Sequence, residues 1–77
     1  MTFAERVRTH RLVIREIQQA ATDHGCTLRI VGEREVEVSG EFLAVHRTRI
    51  EASQVLGTEI SMEPVAGLLD TYNLKEV

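Results

Sequence analysis

Seventy-seven residues with a net charge of −3, 43% apolar and 27% charged, fit one ordinary globular domain and exclude both a disordered chain and a two-domain protein. No apolar run approaches the roughly 18 residues of a membrane span, and the N-terminus lacks a signal peptide's apolar stretch, so the expected compartment is the cytoplasm. A single cysteine, Cys26, excludes an intrachain disulfide.

Charge is unevenly spread. Residues 1–34 carry six arginines against four acids, whereas residues 35–77 carry three basic residues against eight acids. A basic front and an acidic back suit a polar binding surface or front-to-back self-association. With only Phe3, Phe42 and Tyr72 as aromatics, the core must be aliphatic.

The first helix opens on Thr2 and Glu5, whose spacing is that of a capping box, and runs to Gly25, which suits a left-handed C-cap. Phe3, Val7, His10, Ile14, Ile17, Ala21 and His24 recur every three or four residues as one stripe. Such a stripe lies across a sheet or forms a seam between two copies. A hairpin follows, Cys26–Val31 and Glu35–Ser39. A loop of odd length, Gly32-Glu33-Arg34, sets Leu28 against Val38 and Ile30 against Val36, with Arg29 opposite Glu37 on the wet face. A loop of two residues would turn one strand inside out.

A second helix is expected from about Glu41 to Leu56, with Phe42, Val45, Ala52 and Leu56 as its apolar stripe and Gly57 at its end. Thr58–Met62 alternates as a half-buried strand, placed beside the first strand. Pro64 then opens a last helix, in which Val65, Leu68, Leu69 and Tyr72 follow at i, i+3, i+4 and i+7. The expected fold is α+β in the order α-β-β-α-β-α, a three-stranded sheet with helices packed on one face. The other face should present Arg29, Val31, Glu35, Glu37, Ser39, Glu59 and Ser61. It has no aromatic ring on which a base could stack.

The stretch Ile14–Leu56 resembles part of a K-homology (KH) domain. IREIQQAATDHGCTLRI is similar to that family's second helix, the turn after it and the next strand. GEREVEVSGEFLAVHRTRIEASQVL is similar to its variable loop, the strand ending in a hydrophobic-x-Gly turn, and its closing helix. The family clamps nucleic-acid backbone with a G-x-x-G loop ahead of that second helix, but the matching positions here read Arg8-Thr9-His10-Arg11. Without glycine the backbone cannot approach a phosphate closely. The resemblance is to a degenerate KH-like domain lacking the loop, and it implies a related fold more than RNA binding. BON domains and the ring-building domains of secretion systems also share an α-β-β-α-β order, and VEVSGEF resembles BON.

Candidate chemistry is sparse. Arg8, Arg11 and Arg15 fall within about a 60° arc of the first helix, continued by Gln18 and Gln19, as an anion-contacting strip for an acidic protein or for phosphates. His10 and His24 stand roughly 21 Å apart along a helix and cannot hold one ion. His24, Cys26 and His46 lack a recognisable zinc spacing. No phosphate loop, dinucleotide fingerprint or nucleophile elbow occurs. No catalytic residue, metal or cofactor is assigned. The reading is a small non-enzymatic interaction module, of the kind a phage- or plasmid-type regulator or inhibitor would be, binding a protein through Arg8, Arg11, Arg15, Gln18 and Gln19. The alternatives are a degenerate RNA or single-stranded nucleic-acid binder, and a homo-oligomer built on the first helix. For the last, Leu12 is the large apolar residue that points away from the expected core.

Overall fold

The computed structural model describes residues 14–77. Helix α1 is described over residues 14–23 and is followed by strands β1 (Thr27–Gly32) and β2 (Glu35–Ser39), helix α2 (Phe42–Leu56), and strands β3 (Ile60–Pro64) and β4 (Thr71–Glu76). Arg8, Arg11 and Leu12 lie outside the described residues, as does the expected capping box.

Helix α1 ends as expected. Gly25 takes a φ of 75°, and the Cys26 N–H donates to the Ala21 carbonyl at 2.7 Å. This six-residue closure satisfies a carbonyl that the helix leaves unpaired. The chain then turns directly into β1.

The hairpin has the expected register: Leu28 opposes Val38, Arg29 opposes Glu37 and Ile30 opposes Val36. Its connection differs from the expected three-residue loop. Gly32 still pairs with Glu35, and the ladder shifts between Ile30 and Gly32, so Val31 is a bulge before a two-residue turn, Glu33-Arg34. Neither turn residue has a positive φ, so the turn is not the primed type that matches strand twist. The bulge absorbs the mismatch and keeps the valines inward.

The sheet has four antiparallel strands in the order β1-β2-β4-β3. Two expectations are corrected here. The segment expected as a last helix is a loop followed by β4, and β3 lies at the far edge rather than beside β1. Alternation within TYNLKE explains the first correction, because Tyr72 and Leu74 face the core while Asn73 and Lys75 face away. Pairing Val36 with Leu74 and Val38 with Tyr72 buries β4 between two strands, which no short helix could match. Pro64 does not open a helix but closes β3, an edge position where a missing N–H costs nothing in the ladder. Gly67, with φ 82°, and the Leu68 N–H to Val65 carbonyl bond of 3.1 Å define the turn that reverses the chain.

Both helices cover one face of the sheet. Ile17 and Ala21 from α1, and Val45 and Ala52 from α2, close on Val36, Val38, Ile60 and Leu74. Small residues at the helix contacts let the backbones approach. Thr48 is fully buried, and its hydroxyl donates to the Ala44 carbonyl at 2.8 Å, so burial strands no polar group. Phe42, expected in the buried stripe of α2, is 54% exposed.

Truncating Leu74, which is buried at the centre of the sheet, should cost about 2–5 kcal/mol, a large part of the roughly 4–12 kcal/mol expected of a chain this long. Urea denaturation of Leu74→Ala should show a transition moved strongly toward zero denaturant. Gly40 offers a finer check. A Cβ there would meet Cys26 Sγ at 3.1 Å, so Gly40→Ala should destabilise the chain, and Cys26→Ala in the same chain should recover part of the loss.

Candidate functional site

Among the described residues the surface offers four places where chemistry or recognition could occur. The first is the polar face of α1. Arg15, Gln18 and Gln19 are all exposed, opposite the buried Ile17, Ala20 and Ala21. Gln19 donates through Nε2 to Asp23 Oδ1 at 2.9 Å. The structure therefore places three of the five expected contact residues on one exposed strip, and the other two, Arg8 and Arg11, lie outside the described residues.

The second is the junction of α1 and α2. His24, at the end of α1, is half-buried, and its Nε2 lies 2.7 Å from Glu51 Oε2. Arg47, Ile50 and Gln54 complete a shallow depression of about 300 Å³. The pair ties the two helices together. Cys26 is half-buried and faces Thr48, whose hydroxyl lies 3.8 Å from its sulfur. His46 instead stacks on Phe42. Among the described residues no group of three or more His, Cys, Asp or Glu side chains could hold a metal ion.

The third is the open face of the sheet. Its middle row runs Arg29, Glu37, Asn73, Glu63, and Arg29 Nε donates to Glu37 Oε2 at 2.9 Å. Ser39 and Thr71 share a hydroxyl hydrogen bond of 3.1 Å. Among the described residues, the strand side chains of this middle row are polar and include no aromatic ring. The Asn73 Oδ1 atom is buried without a partner.

The fourth is apolar and was missed in the sequence. Phe42 and Leu43 open α2 at 54% and 61% exposure, and Leu68 and Leu69 stand in the β3–β4 loop at 51% and 99%. The Asp70 carbonyl accepts the Gly40 N–H at 2.8 Å, which fixes that loop against the β2–α2 junction. Phe42 is held edge-on to Tyr72, with ring centroids 5.7 Å apart, and its other side stacks on His46 at 6.1 Å. Four large apolar side chains thus share one end of the molecule. The signal was present in the sequence as a Leu68-Leu69 pair just after Gly67, but helical spacing absorbed both leucines into an expected helix.

Inside the fold, a recess bordered by Ile14, Ile17, Val36, Leu56, Ile60 and Leu74 has a volume of about 10 Å³, room for about one water and no substrate. No described helix is long and apolar enough to cross a membrane. No protein-family model, curated protein or solved structure matches the chain.

The partly exposed His24–Glu51 pair should contribute little to stability, at most about 1 kcal/mol. A double-mutant cycle with His24→Ala and Glu51→Ala, read by urea denaturation, should return a coupling below that value. A larger coupling would show that the pair governs how the helices dock.

Proposed function

We propose that this chain is a small, non-enzymatic interaction module that binds a protein partner. The observation that carries this reading is the exposed apolar end formed by Phe42, Leu43, Leu68 and Leu69. Isolated exposed leucines are common, but several large apolar side chains gathered on one ordered end of a small domain mark a contact surface. Leu69 is the clearest member, since a loop fixed by Gly67 and the Gly40–Asp70 bond displays it almost wholly in water.

The absence of aromatic rings on the open sheet face, together with a net charge of −3, favours a protein over a nucleic acid as the partner. A compact acidic module of this kind suits a regulator or inhibitor that acts by occupying another protein's surface. The basic strip of α1, with Arg15, Gln18 and Gln19 exposed, is a second contact surface for the same role. The two surfaces make separable predictions.

Affinity capture from a lysate of the native host, with the chain immobilised, tests the reading. The triple change Phe42→Ser, Leu43→Ser and Leu69→Ser should release what the wild type retains. Arg8→Glu, Arg11→Glu and Arg15→Glu together should weaken retention only if α1 is also engaged. Identical profiles for wild type and the apolar-end variant would remove that end from the function. Single-stranded RNA at low salt should not bind. If RNA does bind, and binding disappears on Arg8→Glu plus Arg11→Glu, the KH-like nucleic-acid reading takes its place.

A further inference from the structure

We infer that the apolar end receives a basic amphipathic segment of a partner protein, one that inserts aliphatic side chains between Phe42, Leu43 and Leu69 and sets lysines or arginines around them. The inference rests on the interaction reading above and adds the partner's chemistry.

The apolar residues supply the anchor and their neighbours supply the sign. Glu41 immediately precedes Phe42, and Asp70 immediately follows Leu69, both exposed. These two carboxylates flank the apolar residues along the chain. Neither forms an ion pair with another described residue. The Glu41 side chain makes no cap bond to α2, so its charge is available to the surface.

Among the described residues, Arg49 and Arg29 are engaged elsewhere. The Arg49 guanidinium donates through Nη1 to the Ile60 carbonyl at 3.1 Å, pinning α2 to the start of β3. Arg29 is engaged by Glu37 on the open face of the sheet. Arg47 remains, exposed and one turn along α2 from Leu43, beside the His24–Glu51 depression. Among the described residues, a partner segment therefore meets exposed apolar side chains flanked along the chain by Glu41 and Asp70, with Arg47 one turn of α2 away.

Such a surface selects by charge as well as by area. An apolar groove alone accepts any amphipathic segment, whereas a carboxylate rim favours a basic one and repels an acidic one. Charges at a rim act through water and are screened by salt, so the preference should fade at high ionic strength while the apolar contribution persists.

The test uses the full chain and two designed helical peptides of about 14 residues, with leucines at i, i+3, i+4 and i+7 and either lysine or glutamate at the other positions. Binding is followed by fluorescence anisotropy. The lysine peptide should bind at least about tenfold more tightly than the glutamate peptide at low salt, and the gap should narrow near about 0.5 M salt. Leu43→Ser with Leu69→Ser should weaken the lysine peptide by about tenfold or more. Glu41→Gln with Asp70→Asn should lower its affinity and flatten its salt dependence. Both leucines are exposed, so circular dichroism should be unchanged in that variant.

Equal binding of the two peptides would overturn the charge preference and leave the docking surface standing. Tighter binding of the glutamate peptide would reverse the partner's sign and overturn the inference. Lysine-peptide binding that survives Leu43→Ser with Leu69→Ser would place the contact elsewhere, and the inference would fail. If neither peptide binds, the inference fails, and light scattering decides what replaces it: a dimer that dissociates on Leu69→Ser makes a second copy the occupant, and a monomer at all concentrations leaves the interaction reading to the capture experiment.

Discussion

The fold depends on one layer of contact, in which Val36, Val38, Ile60 and Leu74 from three strands meet Ile17, Ala21, Val45 and Ala52 from two helices. Strand β4 is the central piece of that layer. It pairs with β2 on one side and β3 on the other, so the last residues of the chain join what would otherwise be a hairpin and a lone strand. A two-stranded ribbon is marginal in water, whereas four strands with one covered face can stand. Leu74 occupies the centre of that joint and touches both halves of the core. The loop that displays Leu68 and Leu69 is held in place by a strand that comes last among these elements and sits in the interior of the sheet.

That strand is also where the sequence misleads. Val65, Leu68, Leu69 and Tyr72 have helical spacing, and Pro64 is as suitable for a helix start as for an edge strand. Two local cues favoured the strand. Gly67 would weaken a helix by about 1 kcal/mol, and Thr71-Tyr72-Asn73-Leu74-Lys75 alternates with a period of two. What decided between them was tertiary. Tyr72 and Leu74 gain partners across two strands, while a helix over the same residues would have turned Leu69 toward a core that has no place for it. Propensity over six residues cannot weigh that difference. Consequently the expected three strands became four, and the apolar end stayed hidden behind an expected buried stripe.

The hairpin was legible for the opposite reason. Leu28, Ile30, Val36 and Val38 admit one register that keeps all four on the same face, and a slip of one residue would expose two valines. The structure keeps that register and adjusts the connection instead, inserting the bulge at Val31. Burial thus overrode turn preference. The ends of α1 and α2 were equally readable, because Gly25 and Gly57 take the left-handed conformations, at 75° and 65°, that helix termination favours. Of the expected contact residues, Arg15, Gln18 and Gln19 could be placed on an exposed face by helical phase alone. Phe42 could not, because whether it faces the core or the solvent depends on where the β3–β4 loop runs.

The two sides of the molecule follow different rules as a result. The core is built from small and medium aliphatic residues and uses none of the large exposed side chains. Fully burying a leucine or phenylalanine stabilises by about 1.5–3 kcal/mol, comparable with a sizeable share of a small domain's whole stability. A fold that leaves Leu43, Leu68 and Leu69 in water, and holds Phe42 half out between Tyr72 and His46, forgoes stability that repacking could have supplied. The same free energy is then available at an interface, reduced by the cost of association. Because the loop is already fixed by the Gly40–Asp70 bond and the turn at Gly67, little of it is spent on ordering that segment. On the proposed binding reading, preorganised apolar groups beside carboxylates that form no ion pair with another described residue favour slow dissociation through their contacts and fast association through their charge. On that reading, exposure at this end serves a contact that the core does not compete for.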